Sequence, residues 1–493
     1  MDFYSDNRHG SANWATQSQL LGGGLYQNKG IFLGLCPFTN NYLTLDSDAP
    51  SILIGGAGSG KGTTQLLYNN FYDGSMLIND PKGEIGAIIG NYQKKSGKEF
   101  YCINPTGLHT QSPWELPQHK VNPFDILKIG SLHLVSDCKR IAMMLIPTEG
   151  GKSFFIKRAR QWMSNLLLAY ALTSKNPTVS GFMQVLNMIE NNHVDFKALA
   201  LGLYATLGND DITLTMNEII NKRSDAGASG EYSGVISTIG TAMDFMTDPQ
   251  LKTLFSGADF SLDILSQTNP AAVVDIAFPA ENLNIWNKAL RLIIGVAILY
   301  QYRNQKSKPL FLIDEAAQLG HFEELEMSYT YGRSFYRTMA IFQDIGQIEK
   351  HYNKSGIQTF LGSSQAKTFI GIRDYETAKL VSEMLGNQTI EVENPIYAAR
   401  GRHERQKAIN NLLFSGGDPF QVGMELGYWN REAKHRDKIK RPLLTPDEIL
   451  TMPEDRSLIF LSGLGVDPIA ANRMPYFKNP NIAQYFLPNP YHV

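Results

Sequence analysis

The sequence predicts an α/β protein: a mostly parallel sheet with helices on both faces, interrupted by an all-helical insertion. Three observations predict it. Apolar runs of strand length recur before and after a long gap, with helical periods between most of them. One early run, Ser51–Ile54, leads straight into a glycine loop that ends in Lys61. The gap itself carries helical periodicity and no strand pattern.

Composition sets the outer limits. At 493 residues the chain exceeds one compact core, so two or three domains are expected. With 43% hydrophobic residues, 19% charged residues and a formal net charge of -2, it reads as an ordinary globular protein. That balance argues against a surface that binds nucleic acid all over, while leaving room for a local basic stripe. Cys36, Cys102 and Cys138 stand apart without metal-ligand spacing, which suits a reducing compartment. The most apolar run, Ala289–Tyr300, is short, carries Arg291 and reads as a buried helix, so no membrane-crossing segment is expected. Met1–His9 lacks the layout of a signal peptide, and the chain is expected to stay in the cytoplasm.

Residues 1–50 read as an amino-terminal segment holding a hairpin, Gly30–Leu35 and Tyr42–Leu45 around Pro37–Asn41. The strand Ile52–Ile54 then delivers the chain to Gly55, Gly56, Ala57, Gly58, Ser59, Gly60, Lys61, Gly62 and Thr63. Glycines accept the dihedrals that turn backbone N–H groups inward around phosphate oxygens, and they carry no Cβ to block a close approach. Lys61, at the start of the following helix, would reach the β and γ phosphates, so a nucleoside triphosphate is expected. The usual pattern places Ser or Thr after the lysine to hold Mg²⁺. Here Gly62 stands there, Thr63 is the nearest hydroxyl, and metal binding must lean on a carboxylate elsewhere.

Met76–Ile78 and Phe100–Ile103 read as the next strands. Past residue 132 the pattern changes, with Phe155, Ala159, Trp162, Leu166 and Tyr170 on one helical face after a cap at Ser153. Helical stretches at Ser180–Glu190, Thr213–Arg223 and Glu231–Met246 follow, broken at Gly208–Asp210 and Ala226–Gly230. Strands resume at Ala272–Ile276, Leu310–Asp314, Met339–Gln343, Thr368–Ile372 and Leu458–Leu461. The expected division is therefore 51–131 with 258–493 as the nucleotide-binding domain and 132–257 as an inserted all-α domain.

Pro309–Glu315 is an apolar run ending in two carboxylates. A buried parallel strand would bring Asp314 beside the glycine loop to hold Mg²⁺, with Glu315 placed to polarise an attacking water. Lys82 and Glu84 lie near this site if Asp80 ends a strand of the sheet, or else they mark a helix start. Arg333 has a spacing from Asp314 that suits a finger on the far side of the subunit, and Arg337 could share its face. Glu391–Lys440 is rich in charge, interleaved with Phe414, Phe420, Tyr428 and Trp429. It suits a sequence-tolerant single-strand groove, or a mobile solvated excursion ending at Pro442, and the second reading is favoured.

Together these blocks resemble the TraG-type coupling ATPases of bacterial type IV secretion and conjugation, over most of the chain. Gly58–Gly62, with glycine after lysine, is a usual spelling in that family. Asp80–Glu84, Val121–Asp125, Asp314–Gly320, Phe342–Lys350, Asp374–Ala378 and Arg441–Glu448 follow in the family's order. The resemblance implies a RecA-like P-loop motor domain with an inserted all-α domain, assembled as a homo-oligomeric ring, a hexamer, with ATP and Mg²⁺ at each subunit boundary. Lys61 would grip the phosphates, Asp314 with Thr63 would organise Mg²⁺, Glu315 would orient water and Gln343 would sense the γ-phosphate. Arg333 occupies the place of the arginine that acts in trans.

The implied function is to hand relaxase-bound single-stranded DNA or effector proteins to a type IV secretion channel, using ATP hydrolysis. Channel ATPases and inner-membrane components are the implied partners. Family members usually begin with membrane-spanning helices and this chain shows none, so a soluble member is expected, peripheral at the inner membrane through its partners. Two other readings stay open: a soluble RecA-like DNA-pumping motor for packaging or partition, and an ATP-binding cargo adaptor with little hydrolysis.

Overall fold

The computed structural model describes residues 10–147, 154–191, 194–200, 210–224, 229–304, 306–414, 416, 418–432 and 436–491. They form two compact units, one of Gln17–Gly371 with Glu454–Val493 and a smaller one of the chain up to Thr16 with Ile372–Pro453.

The larger unit is built on β1 (Ile31–Leu35), β2 (Tyr42–Leu45), β3 (Ser51–Gly55), β4 (Met76–Asn79), β5 (Glu99–Ile103), β6 (Ala272–Ile276), β7 (Leu310–Ile313), β8 (Arg337–Phe342) and β9 (Ala366–Ile370). Two later strands join them: β12 (Arg456–Leu461) and β13 (Ile469–Asn472). Their order is β2-β1-β13-β12-β9-β3-β8-β7-β4-β6-β5. From β9 to β5 every pairing is parallel, and from β9 outward to β2 every pairing is antiparallel. The parallel strands are apolar along their length because both faces are covered, and every residue of β3, β4, β6 and β7 is buried.

Each strand expected in this unit is present, with ends displaced by a residue or two. β7 stops at Ile313, which leaves Asp314 just beyond the strand, and β9 runs from Ala366 to Ile370. Strand β13 was not expected; it is short and only half buried.

Between residues 134 and 254 the described elements are helical. They include α2 (Leu134–Leu145), α3 (Phe154–Thr173), α4 (Val179–Asn191), α5 (Asp210–Ser224) and α6 (Ser229–Ala242), which follow α1 (Glu84–Lys95) in the chain. Ala159, Trp162 and Leu166 are buried as their spacing requires, and the Trp162 indole donates to Glu218 of α5 at 3.1 Å. Phe155 departs from the expected face, at 40% exposure. The Ser153 cap lies outside the described residues, as do most of the two expected breaks.

The expectation that no segment has the length of a membrane span needs correction. Ala280–Arg303, which contains α7 (Leu283–Arg303), is long and apolar enough, with a mean hydropathy of 1.3 in its best window. The fold buries 78% of that window, so its apolar surface is taken up by core packing. Arg291 within it is itself buried, its guanidinium 5.6 Å from the Phe322 ring. Helices α8 (Glu323–Thr330) and α9 (Ile345–Ser363) flank β8 in sequence.

The smaller unit corrects the reading of the charged stretch. Strands β10 (Asn387–Glu393) and β11 (Arg436–Pro442) pair antiparallel from Asn387↔Pro442 to Glu393↔Arg436. Between them stand α11 (Pro395–Phe414) and α12 (Pro419–Glu432), preceded by α10 (Tyr375–Leu385) and followed by α13 (Pro446–Leu450). Charge density concealed this order, because the short alternation of Ile390 and Val392 with Thr389, Glu391 and Glu393 sits among charged residues. Caps close its helices: Asp374 accepts from the Thr377 N–H at 2.7 Å, and Thr445 with Glu448 forms a capping box on α13.

Candidate functional site

In the parallel run β3-β8-β7-β4, all carboxyl ends fall on one edge of the sheet. That edge gathers Gly55 onward from β3, Gln343 from β8, Asp314 and Glu315 from β7, and Asp80 from β4. An open edge of this kind, next to a loop rich in N–H groups, is where ligands of such sheets bind.

The glycine loop follows β3. Gly58 and Gly60 take φ of 69° and 77°, which a side chain would strain, and the Ser59 N–H donates to the Gly56 carbonyl at 3.1 Å. The Lys61 ammonium donates to the Gly55 carbonyl at 2.9 Å and stands 3.7 Å from the Glu315 carboxylate. The Ser59 hydroxyl is buried without a partner among the described residues. The position of a Cβ on Gly62 meets nothing within 4 Å, and the Thr63 hydroxyl donates to the Gly60 carbonyl at 3.2 Å.

The acidic side is tightly connected. Asn79, at the end of β4, donates its side-chain amide to the Asp314 backbone carbonyl at 2.6 Å. One Asp314 carboxylate oxygen accepts the Glu315 N–H at 2.9 Å. Burial pushes the Asp314 carboxyl up to about 6, the Glu315 charge adds to this, and Lys61 opposes it. Glu315 holds a left-handed backbone, φ 50° and ψ 46°, a strained conformation for this residue type. The Gln343 amide donates to both Glu315 oxygens, at 3.3 and 3.0 Å, so it positions that carboxylate directly. Asp80 accepts the Gly86 N–H at 3.0 Å, and burial, with Glu84 and Asp314 nearby, pushes it up to about 7.

These groups surround one cavity of about 1060 Å³, which takes in Ala57–Thr63, Asp80, Lys82, Glu84, Asp314, Glu315 and Gln343. Every loop residue expected from Ala57 to Thr63 lines it, and so do Lys61, Asp314, Glu315 and Gln343. Gly55 and Gly56 lie at the base of the loop, outside the lining. Arg333 is not brought there. It is exposed in a short turn before Arg337, the first residue of β8, and so lies toward the opposite edge of the sheet from Lys61. Arg337, which could have shared its face, is instead largely buried at the start of β8 and paired with Asp46 at 2.7 Å and Asp48 at 3.2 Å.

Two contributors escaped the sequence reading. Arg473, at the end of β13, is 7% exposed and grips the glycine loop from behind. Its guanidinium donates to the Ser59 carbonyl at 2.5 Å, to the Thr64 hydroxyl at 2.8 and 3.1 Å, and to the Glu454 carbonyl at 2.7 Å. The carboxyl-terminal stretch from Tyr476 to Asn489 supplies the cavity's apolar wall. Its aromatic and proline content was the available signal, but no periodicity announced where it packs.

A family model described as type IV secretory system conjugative DNA transfer matches residues 6–411 and 429–490. The chain belongs to this family. Among the relatives of this chain is the conjugal transfer protein TraG of Agrobacterium fabrum, 22% identical over 454 residues, which are 90% of this chain and 62% of TraG. Protein VirD4 of Rhizobium rhizogenes is 22% identical over 496 residues, 97% of this chain and 67% of VirD4. The chain thus spans roughly two thirds or less of these proteins. Among solved structures, the bacterial conjugative coupling protein TrwBdeltaN70, crystallised with sulphate, superposes with a TM-score of 0.61 at 16% identity, covering 95% of this chain and 97% of that one. TrwB has also been solved with ADP and Mg²⁺. The likeness establishes the expected fold, an α/β sheet of the RecA-like P-loop type.

Proposed function

We propose that this member of the conjugative DNA transfer family is an ATP-driven motor of a type IV secretion coupling protein, feeding relaxase-bound single-stranded DNA or effector proteins to the channel. The observation that carries the proposal is the gathering of Lys61, Asp314, Glu315 and Gln343 around one cavity continuous with the glycine loop. The loop N–H groups and Lys61 receive the phosphates, supported by the left-handed glycines and the unpartnered Ser59 hydroxyl. Glu315, fixed by Gln343 and balanced by Lys61, takes the proton of an attacking water.

Asp314, with Thr63 as the nearest hydroxyl, would hold Mg²⁺. Among the described residues no cluster of three His, Cys, Asp or Glu could ligate a metal unaided, which fits an ion that completes its shell with phosphate oxygens. Bound there, Mg²⁺ would neutralise charge developing on the phosphates. Arg333, exposed and away from its own chain's cavity, suits an arginine that reaches a neighbour's site in a hexameric ring. The division into a nucleotide-binding domain of 51–131 with 258–493 and an inserted all-α domain of 132–257 belongs to the same reading. So does a position at the inner membrane held through channel ATPases and other partners.

The test is ATP turnover with and without single-stranded DNA for the wild type, Lys61→Ala and Glu315→Gln. Both variants are expected to lose turnover by a factor on the order of a hundred or more. Wild-type turnover in either one rejects the motor assignment.

A further inference from the structure

The cavity has two chemically distinct ends. One is the polar phosphate end already described. The other is apolar, formed by Leu66 and Ile85 against Tyr476, Phe477, Phe486 and Leu487 of the carboxyl-terminal stretch.

That stretch is a fixed wall rather than a loose tail. The Leu487 N–H donates to the Ile88 carbonyl of α1 at 3.0 Å, and the Trp114 indole donates to the Pro488 carbonyl at 2.7 Å. The Asn489 amide donates to Glu84 at 2.6 Å. Phe486 is wedged between Tyr476, at 4.7 Å and 62°, and Phe71, at 5.6 Å and 79° between ring planes. Phe477 differs from the rest. Its one recorded ring neighbour is Tyr476 at 5.4 Å, it is 57% exposed, and it nevertheless lines the cavity.

A large aromatic left open on a cavity wall forgoes burial unless something flat covers it. The phosphate loop at the other end of the same cavity says what that something carries: a triphosphate with a planar heterocycle attached.

We propose that Phe477, backed by Tyr476 and Phe486, forms the nucleobase subsite of this chain, with the base stacked on the Phe477 ring and its sugar spanning toward Lys61. This rests on the nucleotide reading above and deepens it, because it assigns the base to a segment more than four hundred positions downstream of the loop. Stacking on an aromatic is sequence-tolerant, since every base has a π-face, so the wall recognises a flat ring system more than a particular base.

The experiment titrates the full chain with ATP and, separately, with inorganic tripolyphosphate, in the wild type, Phe477→Ala, Phe477→Trp and Lys61→Ala. Phe477 is exposed, so its replacement leaves the core intact. Phe477→Ala is expected to bind ATP about tenfold more weakly and tripolyphosphate unchanged, and Phe477→Trp to regain ATP affinity. Lys61→Ala is expected to weaken both ligands. If Phe477→Ala binds ATP like the wild type while Lys61→Ala loses both ligands, the base subsite is wrong and the nucleotide reading stands. Equal weakening of ATP and tripolyphosphate by Phe477→Ala also overturns the subsite. If Lys61→Ala binds both like the wild type, the nucleotide reading itself falls and takes the subsite with it.

Discussion

Replacing Arg473 by methionine keeps most of the side-chain volume while deleting every hydrogen bond that holds the glycine loop to β13. The Thr64 hydroxyl retains its bond to the Gly60 carbonyl at 2.7 Å, so its loss is partial. The Ser59 carbonyl loses its guanidinium donor outright, and a buried acceptor left bare costs about 1–3 kcal/mol, whereas the carbonyl of exposed Glu454 can be taken up by water. Part of that is returned, because burying the guanidinium is itself unfavourable: desolvation pulls Arg473 down to about 10, against the pull of Glu454 and Asp455. The net expectation is a loss of about 1–2 kcal/mol concentrated at the loop. Native-state hydrogen exchange reads it at the Ser59 and Thr64 amides, which are bonded to the Gly56 and Gly60 carbonyls at 3.1 and 3.0 Å. Their exchange should accelerate about tenfold, with ATP affinity falling alongside. Wild-type exchange at both amides would show that Arg473 does not clamp the loop.

Gly62→Ser has room for its side chain, so the protein should stay folded and reach full turnover at a lower Mg²⁺ concentration; a loss of folded protein in circular dichroism melts contradicts this. Arg333→Ala, at an exposed position, should change stability by less than about 0.5 kcal/mol yet lower turnover by orders of magnitude. Mixing it with Lys61→Ala should restore part of that turnover if the arginine works across a subunit boundary, and no recovery on mixing would argue for action within one chain. Asp80 and Asp314 are raised by burial to about 7 and about 6, so each contributes stability that is whole below the ordinary carboxyl range and is lost as pH rises through the folded value. Unfolding free energy should therefore fall between about pH 4 and pH 7, and Asp80→Asn should flatten that fall; an unchanged slope in denaturant titrations refutes the assignment.

What the sequence made legible was local. Ile52–Ile54 and Leu310–Ile313 are apolar throughout because central parallel strands are buried on both faces, and the residues just past their carboxyl ends could be named with no knowledge of strand order. Lys61, Asp314, Glu315 and Gln343 were found this way, and they do meet in one cavity. Arg473 was not, since its partners are backbone carbonyls and a hydroxyl, and nothing in Ile469–Asn472 distinguishes a short antiparallel strand from a loop. Phe477 and Phe486 lay in a stretch without period, whose path is set by hydrogen bonds to Ile88, Trp114 and Glu84 from distant parts of the chain. In the charged segment, Ile390 and Val392 alternate with Thr389, Glu391 and Glu393, a strand pattern that the surrounding charges obscured.

Strands β3 and β4 are consecutive in the chain, yet β8 and β7 stand between them in the sheet. Synthesis therefore produces the phosphate loop early and its supports late. Until residue 342 has left the ribosome, β3 has neither of its two neighbours, and Arg473 emerges later still. Contacts of such long range form slowly and leave apolar edges uncovered while they wait, which exposes the nascent chain to aggregation and to chaperones. A chain cut short before Arg473 would carry every residue that spells the motif and lack the arginine that clamps the loop in place.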